Sequence, residues 1–425
     1  MLYERWRKIA ADRRNELALR DFASTCRWTF AELFAVGEKR KEALDASPAG
    51  IRGIVFPQGH SPDFIFNLLA AWRQNKIVFP LESEQSPPTI SRPPKNCVHL
   101  KSTSATTGAA RQVVFTAGQL MADADNIVAT MGLRADWPNL GVISPSHSYG
   151  FSNLILPLLL HGIPLILAPA PLPEVVRRAA ENEGSITLAA VPAMWRAWHG
   201  AKVIPPNVRL AISAGAPLPL KLEQEVFNAH GLKIHNFLGS TECGGIAYDT
   251  GATPRTDAAF VGMPLQNVNL SLTEDGCLLV RSCAVAEAYW PERSDSLGGG
   301  KFQTRDLAEL KDGAVYLRGR LGDQINVAGR KVSPETIECA LLAHPQVSEC
   351  LVFGKPSSNT DRAETIIAVM VAGAREMELR QFLLQTLPAW QVPREWHFVE
   401  SLSANARGKI SRADWRRNLD SERSD

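Results

Sequence analysis

RGRLGDQINVAGRKVSPETIE, residues 318–338, is where the chain changes character. Just before it, VYLRGR (315–320) reads as a strand. Gly322 follows at a sharp joint, where the missing Cβ widens the accessible φ/ψ space. Beyond it the pattern is that of a compact α+β unit. A helix is predicted over 334–343, strands over 348–353 and 364–371, and a helix over 376–387, with Pro-bounded loops after it. The joint at 320–323 therefore divides the chain into residues 1–320 and 323–425. Near the end of the second unit, NARGKISR (405–412) sets Lys409 in a Gly-flanked loop.

Outward from the joint, the first unit shows a β–α–β rhythm. VRLAISAGAPLP (208–219) is followed by a helical LKLEQEVFNAHG and then by the strand KIHNFLGSTE (233–242). NVNLSLTEDGCLLVR (267–281) is a hairpin with an Asp-Gly turn. Residues 62–73 and 118–131 read as helices, and KIVFPL as a short buried strand. Residues 81–96, rich in Pro and Ser, read as a surface loop. NCVHLKSTSATTGAARQVVFT is strand, polar turn and strand. The most apolar run, FSNLILPLLLHGIPLILAPAPLP (151–173), is broken by Pro157, Gly162 and Pro164, so a buried helix–turn–strand is expected and no integral membrane segment.

At 425 residues the chain exceeds one ordinary core, and a composition 45% hydrophobic and 21% charged is that of a globular protein. A formal net charge of +2, with both signs mixed, gives no electrostatic footprint for nucleic acid. Seven cysteines with no CxxC pair argue against a zinc site or a disulfide framework. Residues 1–20 mix acidic and basic groups without an apolar stretch, so no secretory signal is read there and a cytoplasmic protein is expected.

Four segments carry candidate chemistry. STSATTGAAR (102–111) offers five hydroxyls, a Gly and a terminal cation, a composition suited to wrapping a polyphosphate. A plain Ser/Thr-rich turn has the same composition, and no Walker A pattern is present. In GSTE (239–242), Glu242 can hold Mg²⁺ and Thr241 can donate to phosphate; an N-cap with a surface Glu is the bland alternative. Asp306 of TRDLAEL can accept both hydroxyls of a ribose, or be a turn Asp. Lys409 can meet charge developing on a phosphoryl group, or belong to a basic surface run.

These segments, in this order, resemble the adenylate-forming superfamily of acyl-CoA and aryl-CoA synthetases, adenylation domains and luciferases. The resemblance covers residues 50–412, through TSATTGAARQ, SPSHSYG, SAGAPL, LGSTE, VGMPL, TRDL, GRLGDQINVAGRKVSPETIE, LPAWQVP and ARGKISR. It implies a large α/β N-terminal domain of β-sheets layered with helices and a small α+β C-terminal domain that swings about Gly322. It implies that Thr103, Ser104, Thr106, Thr107, Gly108 and Arg111 cradle the ATP phosphates. Thr241 would touch phosphate and Glu242 would hold Mg²⁺. Gly215, Ala216, Pro217 and the stretch Asn236, Phe237, Leu238, Gly239, Ser240 would flank the adenine. Asp306 would hold the ribose, with Arg320 beside it. His147, Tyr149, Gly150, Ala214 and Gly239 would line the acyl pocket, with His147 as its gate. Lys409 would bridge the acyl carboxylate and the α-phosphate.

The reaction implied is ATP-dependent activation of a carboxylic acid, then transfer to coenzyme A or to the phosphopantetheine of an acyl carrier protein. A non-catalytic relative that binds nucleotide or acyl-adenylate stays open, as does a ligase that stops at acyl-AMP. Several positions depart from the family pattern. Gly322 replaces Asp or Lys at the pivot, Ala105 and Ala110 replace Gly and Pro, Arg111 replaces Lys, and Leu238 replaces the adenine-stacking Tyr. Phe237, one position away on a strand, should face the opposite side. A weaker KM for ATP is expected, not loss of activity. No carboxylate occurs between 137 and 173 to pair with a substrate ammonium, so a neutral aryl or aliphatic acid is expected over an α-amino acid.

Overall fold

The computed structural model describes residues 1–40, 53–103, 111–356, 364–402 and 412–421. Its largest element is a 14-stranded sheet whose two halves differ in kind. One half is mainly parallel: Asn139–Gly141, Leu165–Leu167, Ile186–Ala190, Val208–Ser213 and Ile234–Ser240. Ile186–Ala190 is buried at every position, as helices on both faces require. The helix Leu220–His230 makes the crossover from Val208–Ser213 to Ile234–Ser240, and it places Ser213 opposite Asn236. Gly231, in the left-handed region at φ 62°, ends that helix.

The other half is antiparallel. Asn269–Leu272 and Cys277–Arg281 form the expected hairpin, followed across the sheet by Lys301–Lys311 and Ala314–Arg320. A separate five-stranded sheet holds His99–Ser102 and Gln112–Phe115, paired antiparallel with Ser102 opposite Gln112. The helix Ala117–Met131 follows and packs against the strand Gly244–Tyr248 of the large sheet. It starts at a capping box in which Thr116 and Gln119 exchange hydrogen bonds, and it stops at left-handed Gly132.

The apolar run resolves as expected. A π-helical turn Phe151–Ile155 leads into the helix Leu156–His161, and left-handed Gly162 turns the chain into the strand Leu165–Leu167. Among the described residues no helix is long and apolar enough to cross a membrane.

After Gly322 a three-stranded sheet forms from Val347–Pro356, Glu364–Ala372 and Glu395–Phe398, flanked by the helices Pro334–Leu342 and Glu376–Leu384. It has its own core, including Ile337, Leu341, Val352, Ile366, Ala368, Leu379 and Leu383, distinct from the core of the large sheet. The helix expected over 376–387 ends at Leu384. Pro388 biases Leu387 away from helical torsions, and the chain closes instead through the Leu387 N–H donating to the Leu383 carbonyl at 2.7 Å.

Candidate active site

The parallel strands deliver most of the candidate residues to one place, their carboxyl ends, where open α/β sheets bind ligands. Val208–Ser213 runs out into buried Ala214 and exposed Gly215, Ala216 and Pro217, with Gly215 at φ 85°. Ile234–Ser240 runs out into half-buried Thr241 and Glu242. Beneath these loops lies a buried ionic group: Glu223 accepts from Lys233 and, at 2.8 Å, from Arg255, while Lys233 also pairs with Asp249 at 2.6 Å. Asn236 and Phe237 are buried, and Leu238 is half-buried. The Phe237 ring lies 6.0 Å from that of Tyr149, inside the core. Gly239 is exposed and Ser240 half-buried.

Ser104, Thr106, Thr107 and Gly108 lie outside the described residues, as does Lys409. The residues that close the phosphate hairpin are described. The Thr103 N–H donates to the Arg111 carbonyl at 2.9 Å, and the Arg111 N–H donates to Thr103 Oγ1 at 3.0 Å. The Arg111 guanidinium lies over the ring of Tyr289 at 3.3 Å, and the Tyr289 hydroxyl donates to Glu242 Oε1 at 2.9 Å. Tyr289 belongs to the strand Ala288–Trp290, which pairs with Gln112–Phe115 and so joins the hairpin to the Glu242 turn. The Ala286 N–H donates to the Glu242 carbonyl at 2.9 Å and fixes the same junction. Tyr289 escapes the motif reading; its signal is only a short apolar-aromatic run before Pro291.

Asp306 and Arg320 stand opposite one another on Lys301–Lys311 and Ala314–Arg320, with Asp306 Oδ1 2.9 Å from Arg320 Nε. Burial raises the Asp306 carboxyl above the usual range; Arg320 opposes this, and Glu242 and Glu335 add to it. The influence of Glu242 puts the two turns in one electrostatic neighbourhood. Among the described residues no three His, Cys, Asp or Glu side chains cluster as a metal cage. A single carboxylate at Glu242 fits Mg²⁺, which binds through one or two carboxylates and the phosphates of a nucleotide.

In the segment expected to line the acyl pocket, His147 Nε2 lies 3.2 Å from Glu82 Oε1, and Ser144 Oγ donates to the same carboxylate at 2.9 Å. Glu82 comes from the Pro/Ser-rich loop, so no scan of residues 137–173 can find it. The Tyr149 hydroxyl donates at 3.4 Å to the carbonyls of Ala190 and Ile212, which fixes the ring's orientation. Gly150 has no room for a side chain: a Cβ there would lie 2.0 Å from the Ser144 carbonyl oxygen.

Gly322 has φ 97°, and a Cβ on it would lie 2.4 Å from a guanidinium nitrogen of Arg305. Three residues past Lys409, Arg412 is held by Glu338 at 2.8 Å, Glu335 at 3.0 Å and Asp323 at 3.5 Å, and it donates to the Val352 carbonyl at 3.0 Å. The C-terminal helix Arg412–Ser421 is thereby tied to the joint that holds Gly322.

Comparison with known proteins gives this arrangement a class. The chain belongs to the AMP-binding enzyme family: the model of that family matches residues 69–290, and the model of the AMP-binding enzyme C-terminal domain matches 336–409. It is similar to the 2-succinylbenzoate–CoA ligase of Bacillus cereus, 26% identical over 331 residues, covering 74% of this chain and 68% of the relative. The anthranilate–CoA ligase of Pseudomonas aeruginosa is 28% identical over 351 residues, covering 76% and 67%. In fold it resembles ATP-bound MatB from Rhodopseudomonas palustris, with TM-score 0.85, 21% identity and 98% of each chain covered. It also resembles the Bacillus subtilis o-succinylbenzoate CoA synthetase holding an acyl-adenylate, with TM-score 0.84, 20% identity and 97% of each chain covered.

Proposed function

We propose that this chain is an AMP-forming acid–thiol ligase, which activates a carboxylic acid with ATP and passes the acyl group to coenzyme A. The observation that carries the reading is the convergence of the hairpin closed by Thr103 and Arg111, the Glu242 turn and the Asp306–Arg320 pair where the five-stranded sheet meets the large one. The CoA ligases similar in sequence support the same chemistry.

In the first half-reaction a carboxylate oxygen attacks the α-phosphorus of ATP, and pyrophosphate leaves. The Thr103–Gly108 loop and Arg111 hold the phosphates, with Thr241 donating. Glu242 holds Mg²⁺, which when bound offsets phosphate charge. Asp306 and Arg320 hold the ribose, and the Gly215–Pro217 and Asn236–Ser240 stretches frame the adenine. Lys409 spans the acyl carboxylate and the α-phosphate, where its ammonium meets the developing charge. In the second half-reaction a thiolate attacks the acyl carbonyl and AMP leaves, after rotation about Gly322 withdraws Lys409. His147, Tyr149, Gly150 and Ala214 shape the acyl pocket for an aryl or aliphatic acid, not an α-amino acid. The seven cysteines are all free thiols, which supports a cytoplasmic setting.

The test is carboxylate-dependent ATP–pyrophosphate exchange over aryl acids, fatty acids and amino acids. Exchange with one acid class is expected; silence across the panel with ATP still bound would favour a nucleotide-binding relative without catalysis. AMP release that requires coenzyme A supports the two-step ligase. Release that proceeds equally without it supports an enzyme that stops at acyl-AMP, and release that requires a carrier protein supports that acceptor instead.

A further inference from the structure

Lys101 and His99 belong to no motif, yet both are buried on one face of the strand that leads into the phosphate hairpin. The Lys101 ammonium donates to Ser148 Oγ at 3.2 Å and Ser152 Oγ at 3.4 Å, and lies over the ring of Phe115 at 4.7 Å. Ser152 Oγ gives its proton to Asp123 Oδ2 at 2.6 Å, and Asp123 Oδ1 accepts the Gly245 N–H at 3.1 Å. Among the described residues, no carboxylate pairs with the ammonium directly; the nearest connection runs through a hydroxyl. Burial lowers the Lys101 pKa, and Asp123 opposes that shift. An ammonium so placed is costly, and an apolar chain of the same length would fill the space more cheaply.

Ser148 is what makes the arrangement usable. Its oxygen accepts from Lys101, so its own O–H is polarised as a donor, and among the described residues it has no acceptor. Ser148 lies in the same short segment as His147 and Tyr149, and it is half-buried. Beside Lys101, the His99 ring lies tilted against Phe151 with centroids 4.3 Å apart, and neither ring nitrogen has a hydrogen-bond partner among the described residues. Burial, with the Lys101 charge adding to it, keeps that imidazole neutral, so it retains one N–H donor. The half-buried Ser148 hydroxyl is therefore a donor backed by a buried cation.

We propose that Lys101 and Ser148 are specificity-determining residues that select a carboxylic acid bearing a second oxygen acceptor, a hydroxyl or a further carboxylate, away from the carboxyl being activated. This rests on the ligase reading above. The same cation repels a substrate ammonium, while the two carboxylates described near this segment are engaged, Glu82 by His147 and Ser144 and Asp123 by Ser152 and the Gly245 N–H.

The experiment is ATP–pyrophosphate exchange by the full chain with matched acids: benzoate, 4-hydroxybenzoate and terephthalate, and hexanoate against adipate. Wild type is expected to favour an acceptor-bearing acid over its plain partner by about tenfold or more in kcat/KM. Ser148→Ala and Lys101→Met are expected to reduce that ratio by roughly fivefold or more, with the KM for ATP changed by less than about twofold. The hydroxyl and carboxylate arms identify which acceptor is read. A wild type that treats plain and acceptor-bearing acids alike overturns the proposal without recourse to any variant. So does a uniform loss across all acids in Ser148→Ala, which marks a packing role. Exchange with none of the acids overturns the ligase reading and this inference with it.

Discussion

Glu242 is oriented by a hydroxyl that lies outside every motif. Tyr289 donates to it at 2.9 Å while its ring carries the Arg111 guanidinium. Tyr289→Phe keeps the ring and removes the donor. A hydrogen bond to a charged acceptor contributes about 1.5 kcal/mol, so the Mg²⁺ concentration for half-maximal activity should rise by roughly tenfold while thermal stability holds. An unchanged Mg²⁺ titration would remove Tyr289 from the site. Asp306 gives a prediction in pH. Its folded-state pKa is raised, chiefly by burial, and in the proposed ribose role the ionised carboxylate is the stronger acceptor. The KM for ATP should therefore climb on acidification at a higher pH than an ordinary Asp, near 3.9, would impose. Asp306→Asn should raise the KM at neutral pH and abolish that limb. Stability runs the other way: a raised folded pKa penalises the ionised form at neutral pH, and the penalty fades as pH falls toward the unfolded value. Persistence of the acid limb in Asp306→Asn would assign it to another group.

Between residue and molecule, the elements show what could be read from sequence alone. The hairpin around the phosphate loop, the crossover from Val208–Ser213 to Ile234–Ser240 and the helix Ala117–Met131 were legible because their signals are local: apolar period, capping residues and turn chemistry. The overrun past Leu384 arose because helix propensity continues where the backbone before Pro388 cannot. The partners of the site residues were not legible. Glu82 reaches His147 from another loop, Tyr289 reaches Glu242 across a sheet, and Lys101 reaches Ser148 from a neighbouring strand; no spacing rule encodes such contacts. At the joint, Gly322 holds a left-handed φ of 97° against Arg305. Gly322→Ala should cost about 1–3 kcal/mol in that conformer, and the two half-reactions should change by different factors. Equal, unaltered rates with an unshifted melting temperature would show that the joint does not depend on this torsion.

The molecule as a whole has two cores, one in the large sheet and one after Gly322. Lys221 Nζ donates to the Pro345 carbonyl at 3.4 Å, and Gly319 packs close to Ser333, where a Cβ would lie 2.2 Å from the hydroxyl oxygen. Two separate cores suit a small domain that changes its pose between two chemical steps. Arg412 clamps the segment after Lys409 to three carboxylates of the small domain, so the lysine should travel with that domain as a unit. Lys409 is therefore expected to act in one step alone. The direct measurement is to separate the half-reactions in Lys409→Ala, following ATP–pyrophosphate exchange for the first and conversion of a preformed acyl-adenylate to its CoA thioester for the second. Exchange should fall by about a hundredfold or more while thioester formation stays near wild type. Equal loss of both steps, or exchange that survives intact, would contradict a lysine that acts only in adenylation.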